Sequence, residues 1–93
     1  MTDPRREPSE TAWTIERIGR AEMRGLWGPT EMWYRVAEAL EDGPADGALD
    51  EVSGAVLERM AERLPHTALV ERHPALAAFV QELVARGRRR GTR

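Results

Sequence analysis

The residues best suited to chemistry in this sequence are two histidines, two serines and a few adjacent carboxylates. His66 and His73 flank a proline-bounded segment, but a zinc or iron site needs three or four ligands at constrained spacing. Neither Ser9 nor Ser53 stands in a strand-to-helix elbow, and no base is suggested for either. We therefore predict no metal, no cofactor and no catalytic residue, and expect that the protein is not an enzyme.

Tryptophan and arginine form a more informative pattern near the N-terminus. The stretch LWGPTEMWYR, residues 26–35, holds two of the three tryptophans and the single tyrosine. The residues just before this stretch are predicted to form the first helix. At 100° per residue, one side of that helix collects Ala12, Ile15, Ile18, Met23 and Leu26. The other side collects Trp13, Arg17, Arg20, Arg24 and, if the helix extends that far, Trp27. The first side is predicted to face the core and the second to face solvent.

An arginine row with a tryptophan at each end has the composition of interface hot spots. We therefore predict a partner-binding face made of Trp13, Arg17, Arg20, Arg24 and Trp27, with Met32 and Tyr34 extending it. The alternative is that the arginine stems pack over the indole rings of the same molecule. Trp33 belongs to the apolar stripe of a second helix and is predicted to be core.

Glu22 projects from the apolar side of the first helix, where a carboxylate is costly unless it is paired. Arg35 or Arg59 is a candidate internal partner, but we favour a position at the edge of the helix assembly.

The C-terminus carries a second cluster of arginines. Residues 86–93 contain five of them and no acid: Arg86, Arg88, Arg89, Arg90 and Arg93. Together with the arginines of the first helix they support a second hypothesis, a nucleic-acid-binding regulator. Residues 7–85 oppose it, because fifteen acidic residues against seven arginines give a formal charge of −8. A third hypothesis is a small-molecule carrier or sensor lined by Trp27, Met32 and Trp33.

Composition limits the class of protein. With 93 residues the chain suits one domain, and 41% hydrophobic residues are enough for a core. The apolar runs are too short to cross a membrane, the N-terminus lacks an apolar leader and cysteine is absent. We therefore expect a cytoplasmic protein.

Helical periodicity recurs in four segments, and no segment alternates with period two. The first helix is predicted to be capped by Ser9 or Thr11 and to end at about Met23 or Arg24, and the second covers residues 31–41 after a cap at Thr30. The third is predicted from Ala48 or Leu49 to Leu64, and the last from Pro74 to about Gly87. Residues 42–47 form a loop, and residues 65–73 form a linker or a single turn. The chain is thus predicted to be all-α, with an N-terminal arm over residues 1–8, one domain of about four helices over 9–87 and a basic disordered tail over 88–93. The helices form a bundle or an orthogonal array. The favoured function is a non-enzymatic interaction module that binds another protein or a second copy of itself.

Overall fold

Six α-helices make up the part of the chain that the structure describes. The computed structural model covers residues 10–42 and 47–91, with side chains as far as Gly87. The helices are α1 (Glu10–Met23), α2 (Pro29–Asp42), α3 (Ala48–Glu51), α4 (Gly54–Glu62), α5 (Thr67–Arg72) and α6 (Pro74–Gly91). No strand occurs within these two ranges, so the all-α prediction is confirmed, and none of these helices is long and apolar enough to cross a bilayer. The predicted arm, residues 1–8, lies outside the described residues, as do residues 43–46 of the predicted loop.

The single helix predicted over residues 48–64 is wrong, because it is divided at Val52 and Ser53. Both residues have extended backbone, and the Ser53 hydroxyl oxygen accepts a hydrogen bond from the Val56 amide at 3.4 Å as the N-cap of α4. The Ser53 amide donates instead to a carboxylate oxygen of Glu16 on α1, at 2.8 Å. The 65–73 segment also contains a helix, α5, which brings the number to six rather than about four.

The last helix is longer than predicted. It continues through Gly87 to Gly91, so residues 88–91, which were expected in a disordered tail, are helical. Glycine usually ends a helix by adopting a left-handed backbone conformation, and Gly87 does not adopt it. The arginines that follow it are good helix formers, and one interior glycine costs only about 1 kcal/mol relative to alanine.

The core lies between α1 and α6, each of which packs against both α2 and α4. Trp33 of α2 is 1% exposed and meets Phe79 of α6 edge-on, with the ring centroids 6.3 Å apart. Its indole N–H donates to the carbonyl of Arg63 at the end of α4, so the polar atom of this buried ring is satisfied. One side chain thereby contacts two other helices, and the prediction of Trp33 as core is confirmed.

The packing of α1 against α4 depends on a glycine in the middle of α1. A Cβ atom at Gly19 would lie 2.5 Å from Cγ1 of Val56, a side chain that is fully buried. No real Cβ approaches a carbon atom so closely, so any larger residue here would push the two helices apart. Gly19 therefore sets the distance between α1 and α4.

A buried ion pair joins the same two helices. Glu22 is 4% exposed, and its carboxylate accepts hydrogen bonds from Arg59 at 2.8 and 3.3 Å. The hydrogen bond to Glu22 raises the pKa of Arg59. Arg63 is a second cation, 3.5 Å away. Arg59 as internal partner is therefore correct, the favoured edge position is wrong, and Arg35 pairs with Glu31 instead.

We predict opposite effects of alanine at two helical glycines. Gly19→Ala should lower the free energy of unfolding by about 1 kcal/mol or more, because the overlap with Val56 exceeds the gain in helix propensity. Gly87→Ala should raise it by about 0.5–1 kcal/mol, since nothing lies within 4 Å of the added Cβ. Urea denaturation measures both, and the Gly19→Ala penalty should shrink in a Val56→Ala background. Equal effects at the two positions would contradict the close-packing role of Gly19.

The two partners of the buried ion pair should respond unequally to substitution. Arg59→Leu leaves a buried carboxylate with only the more distant Arg63, and should lower the free energy of unfolding by about 1–3 kcal/mol. Glu22→Leu places an apolar group in a buried position, while Arg59 and Arg63, each 34% exposed, can turn to water. Its cost should be smaller in the same urea titration. A larger cost for Glu22→Leu would show that the pair itself stabilises the fold.

Candidate functional site

The solvent side of α1 carries an open groove of about 520 Å³, referred to below as the α1 groove. Successive turns of α1 supply most of the lining, and the segment after the helix closes one end. The lining residues are Trp13, Thr14, Arg17, Ile18, Arg20, Ala21, Arg24, Leu26 and Trp27. All five residues predicted from the tryptophan and arginine pattern of this helix therefore lie on one surface.

The turn at Gly25 brings the last two lining residues into the groove. Gly25 has φ of +81°, its amide donates to the Glu22 carbonyl, and the Leu26 amide donates to the Ala21 carbonyl, both at 3.0 Å. These two bonds form a Schellman motif, which ends the helix and reverses the chain. Leu26 was predicted on the core side by continuing the helical periodicity, and that prediction is wrong. It is 65% exposed and lies in the groove instead.

Trp13 is the most accessible aromatic side chain of the groove. Half of its surface is exposed, and the guanidinium of Arg17 lies 4.7 Å from the ring centroid. This cation–π contact contributes about 0.5–1 kcal/mol at an exposed site and holds the ring in place while half of the Trp13 surface stays exposed. The alternative of intramolecular stacking is thus correct for this pair, yet a large apolar surface still faces water.

Trp27 has a mainly structural role. Its ring is partly buried against the core, and its indole N–H donates to the Ile18 carbonyl at 3.3 Å. The guanidinium of Arg35 on α2 covers the ring at 4.3 Å from the centroid. Trp27 therefore joins the end of α1 to α2 and forms a fixed end wall of the groove.

The three groove arginines differ in whether an acidic side chain already balances their charge. Arg20 pairs with Glu16, whose carboxylate also accepts the Ser53 amide at 2.8 Å and the Ser53 hydroxyl at 3.1 Å. Arg17 and Arg24 have no acidic partner among the described residues. They are the two cations that the groove offers to an incoming ligand.

The Glu16 carboxylate has an altered acidity. Burial works to raise its pKa, but the hydrogen bonds from the Ser53 amide, the Arg20 guanidinium and the Ser53 hydroxyl outweigh burial, so the pKa lies below the ordinary glutamate value. The ionised Glu16 carboxylate therefore binds both Ser53, the N-cap of α4, and Arg20, which lines the α1 groove.

Two predicted site residues do not belong to the groove. Met32 is fully buried, because at i−4 from Val36 it shares the core-facing side of α2. Tyr34 is half exposed but lines a second groove, which we call the α2–α5 groove and which is also lined by Trp33, Leu64, His66 and Arg72. The trio predicted for a small-molecule carrier is also divided, since Trp27 borders the α1 groove and Trp33 lies under the α2–α5 groove.

The residues considered for other chemistry are held by neighbouring side chains or lie outside the α1 groove. His73 contacts Glu41 at 2.9 Å, His66 lines the α2–α5 groove, and no cluster of three metal-ligating side chains occurs within the described ranges. The Ser53 hydroxyl donates to Glu16 and caps α4, so it is already engaged. Arg86 pairs with Asp50 and Glu82. The side chains of Arg88, Arg89 and Arg90 lie outside the described part, as does Arg93.

We predict that Glu16 makes the fold sensitive to acid. Because its pKa is lower in the folded than in the unfolded chain, its contribution is fully present above the ordinary glutamate value, about pH 4.3, and is lost as pH falls through the folded-state pKa. Glu16→Gln should lower stability at neutral pH and flatten the decline below about pH 4. Urea denaturation across this range measures the slope, and Ser53→Ala should show part of the effect. An unchanged acid slope in Glu16→Gln would assign the decline to other carboxylates.

No protein-family model, curated protein or solved structure matches the chain. The α1 groove offers exposed apolar surface at Trp13 and Leu26, a fixed wall at Trp27, and two cations without acidic partners. It offers hydrophobic contact and electrostatic attraction to an anionic group.

Proposed function

We propose that this protein is a small, non-enzymatic interaction module that binds a partner protein in the α1 groove. The observation that carries the proposal is the exposure of Trp13 (50%) and Leu26 (65%) beside two arginines that have no acidic partner among the described residues. An apolar surface of this kind costs free energy in water and gains it when another surface covers it. Tryptophan and arginine are also the residues most enriched in interface hot spots.

The groove favours a partner segment that is both apolar and acidic. An apolar side chain can lie between Trp13 and Leu26, over a floor formed by Ile18 and Ala21. Carboxylates beside it can reach Arg17 or Arg24, and the bidentate geometry of guanidinium suits them. Arg20 contributes less, because its charge is already balanced by Glu16. The proposed role is thus an adaptor, accessory subunit or regulator that recognises an acidic, apolar segment.

The partner segment can come from two sources. A second copy of this chain is one source, since exposed acids such as Glu38, Glu41 and Asp42 lie along α2. A different protein is the other, and the one we favour, because Ala39 and Leu40, between Glu38 and Glu41, are largely covered and the half-exposed Tyr34 lines the α2–α5 groove. We expect either complex to form in the cytoplasm.

Nucleic-acid binding is the competing function. Arg17 and Arg24 supply a small positive surface, but Arg86 at the start of the C-terminal arginine cluster is engaged by Asp50 and Glu82. Phosphate backbones also lack the apolar groups that would cover Trp13 and Leu26. The described residues therefore favour a protein partner.

We predict that selection from a displayed peptide library on the immobilised protein enriches peptides in which acidic residues flank leucine or an aromatic residue. Trp13→Ala should weaken the selected peptides by about 2 kcal/mol, or roughly thirtyfold, because it removes the apolar anchor. Arg24→Gln should weaken them less and reduce the salt dependence of binding. Fluorescence anisotropy of a labelled peptide measures both effects.

The matched control is Leu64→Ser, which removes an equally exposed apolar side chain from the α2–α5 groove and should leave the affinity unchanged. Circular dichroism verifies that each variant is folded. Selected peptides that bind Trp13→Ala as tightly as the native chain would exclude the α1 groove. Tight, steeply salt-dependent binding of a random DNA duplex, without peptide enrichment, would establish the competing function instead.

A further inference from the structure

A second groove lies on the side of the molecule formed by α2, α5 and the segment between α4 and α5. Its volume is about 420 Å³, within the range of roughly 300–1,000 Å³ that is usual for small-molecule sites. This is the α2–α5 groove, which Tyr34 and Leu64 line. It is lined by Pro29, Thr30, Trp33, Tyr34, Arg63, Leu64, Pro65, His66, Ala68, Leu69 and Arg72. None of these residues lines the α1 groove.

The floor and walls of the α2–α5 groove are mostly apolar. Trp33 and Leu69 are buried beneath it, while Tyr34 and Leu64 are each about half exposed along its sides. The indole N–H of Trp33 donates to the Arg63 carbonyl, so the ring beneath the groove has no unsatisfied donor. A flat or branched apolar group can therefore replace water along the groove without leaving the indole N–H unsatisfied.

The charged side chains that line this groove, Arg63 and Arg72, are both cations. Three basic residues line it, Arg63, His66 and Arg72, and the lining contains no carboxylate. This is unusual in a chain of net charge −2, whose other described arginines mostly pair with acids. Arg63 is held by Glu22 and Glu62, but neither Arg72 nor His66 has a side-chain partner among the described residues. Arg72 and His66 therefore remain able to bind an anion.

We propose that the α2–α5 groove binds a small amphipathic organic anion, a carboxylate or sulfonate attached to an aromatic or branched apolar body. The apolar body lies against Tyr34, Leu64 and Ala68, above the buried Trp33 and Leu69. The anionic group pairs with the guanidinium of Arg72, and the His66 imidazole is a second donor beside it. A purely apolar ligand would leave the Arg72 charge unused, and a small inorganic anion would leave the apolar walls in water. This site is independent of the α1 groove and of its proposed partner.

The test uses two dyes that differ by one group. The first is 8-anilinonaphthalene-1-sulfonate, and the second is N-phenyl-1-naphthylamine, which has the same rings without the sulfonate. Titration of the full chain, followed by dye fluorescence, should show saturable binding at one site, tighter for the sulfonate. Arg72→Gln should weaken sulfonate binding by roughly tenfold and leave the neutral dye unchanged. Leu64→Ser should weaken both dyes, because it removes apolar wall.

The control for the location of the dye is Trp13→Ala, which alters the α1 groove alone and should leave both affinities unchanged. Arg72 and Leu64 are exposed, so their substitution should spare the fold, and matching urea midpoints establish that point. The proposal is overturned by equal sulfonate affinity in Arg72→Gln and the native chain. It is also overturned if the two dyes bind the native chain equally, or if Trp13→Ala abolishes the binding.

Discussion

The close approach of α1 to α4 at Gly19 is the constraint on which the rest of the structure depends. Because Gly19 has no side chain, the backbone of α1 comes near enough to Val56 for Glu16 to reach Ser53 one turn earlier. On the other side of the same contact, Glu22 reaches Arg59. These contacts fix the core-facing side of α1 to α4 along most of its length. The opposite side has no such neighbour, which is why a groove can remain open there.

Ion pairing explains how an acidic protein presents two basic grooves. Arginines that hold helices together are neutralised by acids, as in the contacts of Arg59 with Glu22 and Arg86 with Asp50. Arg17, Arg24 and Arg72 lack such partners within the described ranges, and all three line grooves. Most surface ion pairs stabilise a fold only weakly, so the placement of the unpaired cations says more about binding than about stability.

Helical periodicity predicted the features that depend only on residues close together in the sequence. The core position of Trp33 on α2, the core-facing Ile15 and Ile18 of α1, and the Trp13–Arg24 row all followed from helical spacing. Met32, predicted on the surface, is buried, and Met23, predicted on the core side, is exposed. The break at Ser53 did not, because a carboxylate 37 residues away takes its amide, although Ser53–Gly54 is itself a capping signal. Leu26 was assigned to the wrong side because a helical extrapolation cannot pass the left-handed Gly25. The Glu22–Arg63 contact and the α2–α5 groove depend on tertiary packing that no spacing records.

The three tryptophans occupy three different surroundings, and this gives the protein its own set of optical reporters. Trp33 is sealed in the core with its N–H bonded, so its emission should be blue-shifted and should move to the red only on unfolding. Trp13 is half in water beneath a guanidinium, so its emission should lie to the red and be partly quenched. Trp27 is intermediate, under Arg35. The difference between the emission spectra of the native chain and of Trp13→Phe therefore isolates the α1 groove while Trp33 stays in the core, without an attached dye.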